Sequence, residues 1–171
     1  MAVQVLVAYG TKNGSTEGIA RIIADTLCEQ GLQAEAHPGA EVRDLSTYDA
    51  VVLGGALYWG RWDRQAAHFA RRHRHRRALA GTPVWLFSSG PLDASAAERE
   101  IPPVRGVARV AGRLEARGHA TFGGSLFKGA RGKVARMMID QGRDGDFRDR
   151  QQIRSWAQGV GRDLATQPAV T

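Results

Sequence analysis

Short, nearly continuous apolar runs alternate along the chain with longer segments in which apolar residues recur at helical spacing. The runs resemble strands that are buried on both faces of a parallel sheet, and they predict strands over residues 3–8, 49–54, 83–88 and 119–126. Residues 33–37 are a weaker candidate for a further short strand. The helical spacing predicts helices over residues 15–31, 63–80, 104–118 and 153–164. A helix is missing only between the second and third strands. This order favours an open parallel α/β sheet with helices on both faces.

Two stretches fit neither pattern. Residues 89–103 contain three prolines, and residues 127–150 are polar, basic and rich in glycine. Loops of this length in compact domains are usually functional or mobile. Apolar residues at 134 and 137–139 would suit a short amphipathic helix on a membrane or over a substrate, or equally an insertion packed on the core. The length of 171 residues predicts one domain over residues 1–171, with a basic insertion at 127–150.

Composition narrows the class of protein. A hydrophobic fraction of 43% with 24% charged residues is typical of globular proteins and excludes a disordered, collagen-like or fibrous chain. No apolar run approaches the roughly 20 residues needed to cross a bilayer. The N-terminus lacks the basic region of a signal peptide, and the single cysteine, Cys28, has no internal disulfide partner. We therefore expect a cytoplasmic location.

The positive charge is concentrated in the later part of the chain. Residues 1–60 hold three basic and seven acidic residues, a net charge of −4, so the remainder carries +11 within a total of +7. Such asymmetry indicates an anionic partner, which could be nucleic acid, a phospholipid surface at the inner face of the membrane, or an acidic protein. Arginine supplies 21 of the 24 basic residues, and coding bias is the alternative explanation.

The densest basic run is Arg71-Arg72-His73-Arg74-His75-Arg76-Arg77. On a helix these side chains would point in all directions, and cations are favoured near a helix C-terminus, so a solvated helix end is the preferred interpretation. Nucleic-acid binding is disfavoured because no recognised binding module accompanies the charge. No cysteine or carboxylate joins the two histidines, and we predict no metal site.

Candidate chemistry lies in the loops that follow three of the predicted strands, because ligands of open α/β sheets bind beyond the carboxyl ends of the strands. The first loop, residues 9–17, supplies hydroxyls, an amide, a glycine and the free N–H groups of a helix start, which suit a phosphate monoester. Its spacing matches neither a P-loop nor the dinucleotide fingerprint. A simple helix cap would explain one hydroxyl. It does not explain four hydroxyl or amide side chains within six residues, namely Thr11, Asn13, Ser15 and Thr16.

The second and third loops suit a planar ring. The second, residues 54–62, has glycines that allow close approach of a ligand and three aromatic residues, Tyr58, Trp59 and Trp62, on which a ring could stack. The third, residues 87–93, has small residues and exposed backbone. Either loop alone is better explained by packing. Together with the first loop, they predict a pocket for a ring that carries a phosphate tail.

These motifs resemble those of the flavodoxin-like proteins. Thr11-x-Asn13-Gly14-Ser15-Thr16 is similar to the flavodoxin loop that wraps the phosphate of FMN, with Asn13 in place of a hydroxyl residue. The segments 55–60, 87–88 and 122–126, the basic stretch after them, and the ending 145–157 resemble the menaquinone-dependent protoporphyrinogen oxidases of this family. The resemblance covers nearly the whole chain.

The resemblance implies a flavodoxin-like, doubly wound sheet of five parallel strands in the order 2-1-3-4-5, with non-covalently bound FMN. It implies an oxidoreductase that oxidises a reduced tetrapyrrole or passes electrons to a quinone. We predict no particular residue as a catalytic acid or base. The residues implied to bind the cofactor are Thr11, Lys12, Asn13, Gly14, Ser15 and Thr16 at the phosphate and Ala56, Leu57, Tyr58, Trp59, Gly60, Ser88, Ser89 and Gly90 at the ring.

Two alternatives remain open at this point. One is an electron carrier of the flavodoxin type that reduces a partner protein. Such a carrier would be expected to present an acidic face to a basic partner, whereas this chain is basic and better suited to anionic lipid or to the propionates of a porphyrin. The other is a non-catalytic domain that has kept the fold and lost the cofactor.

Overall fold

The computed structural model describes residues 2–75 and 78–166. Within these residues the chain forms eight strands and six helices. In chain order they are β1 (Gln4–Gly10), α1 (Ser15–Glu29), β2 (Gln33–Pro38), β3 (Ala50–Tyr58), β4 (Arg61–Trp62), α2 (Arg64–His75), β5 (Val84–Ser89), α3 (Ser95–Glu98), α4 (Arg105–Leu114), β6 (Gly118–Phe122), β7 (Ser125–Leu126), α5 (Lys133–Asp140), β8 (Gly145–Asp146) and α6 (Arg150–Ala165).

Five strands form a parallel sheet in the order β2-β1-β3-β5-β6. The two-residue strand β4 lies outside this row, as the antiparallel hairpin partner of β3. With β4 set aside, the order is the predicted 2-1-3-4-5, and the predicted fold class is confirmed. The direction of winding reverses between β1 and β3, and the crevice beyond their carboxyl ends is where open α/β sheets bind ligands.

The sheet is covered on both faces because successive side chains of a strand point to opposite sides. In β1, Val5 and Val7 pack under α1 and α6, whereas Leu6 and Ala8 pack under α2 and α4. The central strand β3 has a glycine where the core leaves no room for a side chain, since a Cβ at Gly54 would overlap the Phe87 ring. Burial on both faces explains why β1, β3 and β5 appear in the sequence as continuous apolar runs. The edge strand β2 instead alternates exposed and partly buried positions.

The strand predicted over residues 119–126 is wrong in its second half. Strand β6 ends at Phe122, and the glycine that follows, Gly123, admits the backbone of Phe147 where a Cβ at this position would be. The chain then continues as β7, which pairs antiparallel with β8 in a separate two-stranded sheet. The pairing of β7 with β8 brings residues 145–146 back beside the segment that follows β6. The chain between these two strands forms a loop that contains α5.

The predicted helix bounds also needed correction. Helix α2 is described over Arg64–His75, and Arg76 and Arg77 of the basic run lie outside the described residues. Residues 78–80, which the helical spacing predicts to belong to this helix, form a turn. Helix α4 ends at Leu114, before the predicted stop, because Glu115 takes a left-handed φ of 51°. No helix in the described parts of the chain is long and apolar enough to span a bilayer.

Candidate functional site

The three loops that the sequence predicts as a pocket meet at the carboxyl edge of the sheet. Ser15 Oγ of the first loop lies 3.2 Å from Ser89 Oγ of the third. Asn13 Nδ2 of the first loop donates to the Tyr58 hydroxyl of the second at 3.5 Å. Leu57 of the second loop packs on Gly90 of the third, where an added Cβ would lie 3.0 Å from Leu57 Cδ1. Each loop thus contacts both of the others.

The backbone of the first loop turns sharply into α1. Gly14 has a left-handed φ of 88°, and its N–H donates to Thr11 Oγ1 at 2.9 Å. Gly14 occupies the position that precedes the helix, and no side chain among the described residues caps α1. A simple side-chain cap at Ser15 or Thr16 is therefore not what these hydroxyls provide. The first N–H groups of α1 keep the partial positive charge that favours an anion.

Thr16 contributes a buried hydroxyl to this helix start. Its side chain is fully buried, and Oγ1 has no hydrogen-bond partner in the described structure. Burying such a group without a partner costs about 1–3 kcal/mol. A hydroxyl proton without an acceptor, in the first turn of an uncapped helix, is chemically matched to a phosphate oxygen.

Ser15 is the structural hub of the first loop. Besides its contact with Ser89, Ser15 Oγ accepts a hydrogen bond from the Ser125 N–H at 2.8 Å. Sequence reasoning missed Ser125, which lies 110 positions further along the chain and carries no local signal. The start of α1 is therefore fixed by contacts from β5 and from the chain that enters the insertion.

The basic insertion docks directly on the first loop. Asn13 exchanges two hydrogen bonds with the backbone of Arg131, accepting from its N–H at 3.0 Å and donating to its carbonyl at 3.4 Å. Lys12 lies along the neighbouring Gly132, where an added Cβ would be 2.5 Å from Nζ. The amide at position 13, which stands where the resembling motif has a hydroxyl, has a clear role here as the anchor of residues 131–132.

The second loop presents an exposed aromatic residue. Tyr58 pairs with Arg61 across a two-residue turn whose residues, Trp59 and Gly60, have φ of 52° and 69°. Positive φ at both positions is the geometry that tight hairpins favour. It is uncommon for a residue as large as tryptophan, and Trp59 is nonetheless 67% exposed. Backbone strain of this kind is found at ligand sites more often than elsewhere.

The other aromatic residues of the second loop differ in role. Trp62 is buried, and its Nε1 donates to the Gly55 carbonyl at 3.1 Å, so the expectation that it offers a stacking face is wrong. Tyr58 is half-buried, and burial raises the pKa of its hydroxyl. Ala56 is buried at the end of β3. A ring at this edge would meet Trp59, Tyr58 and backbone.

The two serines of the third loop face opposite ways. Ser89 Oγ is directed at Ser15, as described above. Ser88 is fully buried, and its Oγ lies 3.1 Å from Nε2 of His119 on the neighbouring strand β6. Burial lowers the pKa of His119 to about 4, so the imidazole is neutral at pH 7. Ser88 can therefore contribute to the pocket only through its backbone.

Two carboxylates near this edge, that of Asp63 directly after the second loop and that of Asp93 in the third, are engaged in local structure. Asp63 Oδ1 accepts the Gln65 N–H at 2.8 Å at the start of α2. Asp93 Oδ1 accepts the Ser95 N–H at 2.9 Å at the start of α3, and its hydrogen bonds with Ser95 lower the pKa of the carboxyl group. By contrast, the cations near this edge are exposed to solvent: Lys12, Arg61 and Arg131.

Comparison with known proteins identifies the family to which this chain belongs. A family profile described as "Flavodoxin domain" matches residues 6–145. Protoporphyrinogen IX dehydrogenase (quinone) of Escherichia coli strain K12 is 28% identical over 108 residues, which are 62% of this chain and 58% of that protein. The protein of the same name from Escherichia coli O157:H7 matches to the same extent. The match thus spans little more than half the length of these curated relatives.

Solved structures agree on the fold. A flavodoxin of Pseudomonas aeruginosa, solved as a cysteine-to-serine mutant, has a TM-score of 0.62 at 16% identity, covering 95% of this chain and 99% of that one. Oxidised flavodoxin 2 of Bacillus cereus has a TM-score of 0.61 at 18% identity, covering 94% and 99%. Rubredoxin oxygen:oxidoreductase of Desulfovibrio gigas has a TM-score of 0.64 at 14% identity, covering 95% of this chain and 36% of that protein. At such identities the likeness concerns the fold alone.

Proposed function

This chain belongs to the flavodoxin domain family, and from that premise we propose that it binds FMN and acts as an oxidoreductase of the protoporphyrinogen dehydrogenase (quinone) type. The observation that carries the proposal is the unpartnered Thr16 hydroxyl at the uncapped start of α1. Bound FMN would supply the ring that accepts and releases electrons, while the protein binds and orients it.

The first loop would hold the phosphate. Thr16 Oγ1 would donate to one phosphate oxygen, and the first N–H groups of α1 would donate to others. Thr11 and Ser15 shape the loop, through the bond from Gly14 N–H and the contacts to Ser89 and Ser125. Lys12 would lie beside the phosphate as a point charge. These donors and the Lys12 charge suit a dianionic phosphate monoester in charge and in hydrogen-bonding capacity.

The second and third loops would hold the ring. Trp59 would cover one face, Tyr58 would border the ring, and the backbone of residues 56–60 and 88–90 would supply hydrogen-bonding groups. The turn that carries Trp59 is held by β4, whose Trp62 is buried in the core. An aromatic group on a rigid turn loses little conformational entropy when a ring stacks on it.

The electrostatics of this edge favour an anionic substrate over a basic protein partner. Asp63 and Asp93 accept backbone hydrogen bonds at the starts of α2 and α3, and Glu17 of the first loop is paired with Arg21. The exposed cations nearby are Lys12, Arg61 and Arg131. Complementary charge steers encounters, so a tetrapyrrole with propionate groups would be attracted to this edge. The relatives whose names contain protoporphyrinogen IX and a quinone support the same substrates.

The test begins with binding. FMN is titrated into flavin-free protein by absorption and fluorescence, with riboflavin as the matched ligand that lacks the phosphate. We expect FMN to bind at least about a hundredfold more tightly, because several charge-assisted hydrogen bonds are lost with the phosphate. If neither FMN nor riboflavin binds, the proposal is contradicted and the alternative of a fold that has lost its cofactor is supported.

The second stage measures turnover. FMN-loaded protein is mixed with protoporphyrinogen IX, and formation of the oxidised porphyrin is followed with and without menaquinone. Oxidation that depends on the quinone supports the proposal. A redox titration in two resolved one-electron steps, together with no oxidation of the tetrapyrrole, would favour the alternative of a flavodoxin-type carrier with a protein partner.

The location follows the same proposal. A quinone resides in the membrane, so a protein that reduces it would work in the cytoplasm and contact the inner face of the membrane peripherally. The positive net charge of +7 supports contact with anionic lipid. Cosedimentation with vesicles that contain menaquinone, compared with quinone-free vesicles of the same lipids, tests this part.

A further inference from the structure

Helices α2 and α4 lie side by side on one face of the sheet and enclose a groove between their C-terminal halves. The groove has a volume of 240 Å³. Three arginines line it, together with apolar residues that belong to the underlying core, among them Ala70, Val110 and Leu114. We name this feature the arginine groove; its arginines are Arg71, Arg74 and Arg113.

The groove is continuous with a smaller cavity. This second cavity of 180 Å³ shares Arg74, Arg113 and Leu114 with the first and extends to Gly81. No carboxylate lines the larger cavity, and Glu115 lines the smaller one. Arg74 and Arg113 thus lie where the two cavities join.

The basic run of α2 is divided between the interior and the groove. Arg72 Nη2 donates to the carbonyls of Val42 and Gly39, and His73 is buried against the Phe69 ring at a centroid distance of 4.4 Å. These two residues have structural roles. Arg71, whose Nη2 lies 3.2 Å from His68 Nδ1, and Arg74 are exposed and line the groove. The predicted solvated helix end therefore holds for these two arginines but not for Arg72 and His73.

The arginines of the groove are not neutralised by side chains. Within residues 2–75 and 78–166, none of the three forms an ion pair with a carboxylate. The C-termini of α2 and α4 each contribute about −0.5 charge at this end. Three guanidinium groups against two helix termini and the Glu115 carboxylate leave an excess of about +1. This excess favours an anionic group such as a phosphate monoester, which carries about −1.5 to −2 at pH 7.

The groove lies at the opposite end of the sheet from the candidate FMN site. The start of α2 borders the carboxyl ends of β1 and β3, since Cβ atoms added at Gly10 and Gly55 would contact Ala66. The end of α2 leads through residues 79–81 to the start of β5, and the end of α4 leads to the start of β6. A ligand here would not contact a ring at the other edge, so its role would be binding and not electron transfer.

We propose that the arginine groove binds the phosphate monoester group of an amphiphilic ligand. Guanidinium groups offer paired donors that match phosphate oxygens, and the apolar walls accept the carbon skeleton next to the ester. The volume fits one such group and a short part of its carrier. The same chemistry is offered by a free organic phosphate and by a phosphate monoester lipid headgroup.

The test uses phenyl phosphate as the probe for full-length, isotope-labelled protein, with binding followed by NMR. We expect chemical shift changes at the C-terminal halves of α2 and α4. Arg74→Gln and Arg113→Gln are each expected to weaken binding about tenfold, since each removes hydrogen bonds to a charged group. Arg109→Gln is the matched control, because it removes an exposed arginine of α4 that does not line the groove.

The candidate FMN site must be separated from this one, because it is also proposed to take a phosphate. The Thr16→Val variant removes the hydroxyl of the first loop and is expected to leave the shift changes at α2 and α4 unaltered. If those changes vanish in Thr16→Val, the probe binds the first loop and the groove proposal is wrong. Failure of FMN binding in the wild type would leave the groove proposal standing.

A vesicle assay identifies the source of the phosphate. Phosphatidylcholine vesicles with phosphatidic acid are compared with pure phosphatidylcholine vesicles. Retention that depends on Arg74 and Arg113 supports a lipid headgroup, and binding of phenyl phosphate without retention supports a free organic phosphate. Three outcomes would overturn the proposal. Arg109→Gln could weaken phenyl phosphate binding as much as the groove variants do, or the chemical shift changes could spread over all basic surfaces. The third is tighter binding of duplex DNA that depends equally on all arginines.

Discussion

The first loop and Ser89, which we propose to hold the phosphate and call the phosphate half, meet at the buried start of α1 and are joined by internal hydrogen bonds. The second loop, which we propose to hold the ring and call the ring half, is exposed at its turn and carries backbone strain there. Ser15, Thr16 and Ser89 are all buried, and Ser15 joins contacts from two other parts of the chain. Trp59, in contrast, is 67% exposed on a left-handed turn. A rigid phosphate half would set the affinity, because its groups lose little freedom on binding. An open ring half would leave room for the substrate that exchanges electrons.

The largest effect is expected when the buried hydroxyl of the phosphate half is removed. Thr16→Val should weaken FMN binding about thirtyfold, the value of a hydrogen bond to a charged group, and leave riboflavin binding unchanged. The flavin-free variant should be more stable by about 1 kcal/mol, because an unpartnered hydroxyl no longer has to be buried. Titration and chemical denaturation measure the two effects.

The matched control is Thr121→Val. Thr121 Oγ1 is likewise buried without a partner among the described residues, but it lies on β6. This variant should gain stability without losing FMN affinity. Equal losses of FMN affinity in the two variants would mean that Thr16 has no special relation to the phosphate.

The next effect is a pH dependence of the free energy of unfolding that arises from His119. Burial lowers the pKa of His119, which contacts Ser88, from 6.5 to about 4. Between these two values the unfolded chain binds a proton that the folded protein excludes, so stability should fall as pH falls from 6.5 to 4 and level off below. Discounted for partial solvent access, the loss is about 1–2 kcal/mol.

His119→Gln isolates this contribution, since glutamine can still bond Ser88 but does not titrate. The free energy of unfolding of the flavin-free protein is measured by denaturant at several pH values for both proteins. The difference between wild type and variant should change across this pH interval. Parallel curves would show that His119 does not titrate in this way.

A smaller effect is expected from the exposed aromatic residue. Trp59→Ala should weaken FMN and riboflavin binding by the same factor, about fivefold, because a stacking contact on the ring does not involve the phosphate. This equality distinguishes the ring half from the phosphate half. Phe127→Ala, which removes another exposed aromatic residue, serves as the control and should leave both affinities unchanged.

The smallest effect on affinity is expected at Asn13. Asn13→Thr should change FMN affinity less than about twofold, since its amide bonds the backbone of Arg131 and a threonine restores a hydroxyl. The anchor of the insertion is lost, however. Amide hydrogen exchange should therefore become faster in residues 127–132. Unchanged exchange there would contradict the anchoring role.

Much of the fold could be predicted because its signals are local. Runs such as Val5–Val7 show burial on both faces, and helical spacing in α1 and α6 marks the covering layers. The three loops of the candidate site could be found because polar residues directly follow buried strands. The end of α4 could not be predicted, because it depends on the left-handed φ of Glu115. Nor could the approach of Phe147 to Gly123, because it joins residues far apart in the chain.

The site shows the same division. Thr16 and Trp59 stand out by residue type and position in the sequence. Trp62 has the same residue type as Trp59, yet it is turned into the core by the β3–β4 hairpin. The partners Ser125 and His119 carry no local signal, because each contact joins residues far apart in the chain.

By itself the sequence determined the parallel α/β sheet, the place of the loops at its carboxyl edge, and the polar and aromatic character of those loops. Periodicity and residue type are properties of neighbours along the chain, and they suffice for these features. Only the tertiary structure decided which side chains meet: Asn13 with Arg131, Ser88 with His119, and the arginines of α2 with that of α4. Such meetings depend on how separate elements pack, and packing depends on shape and volume across the whole core.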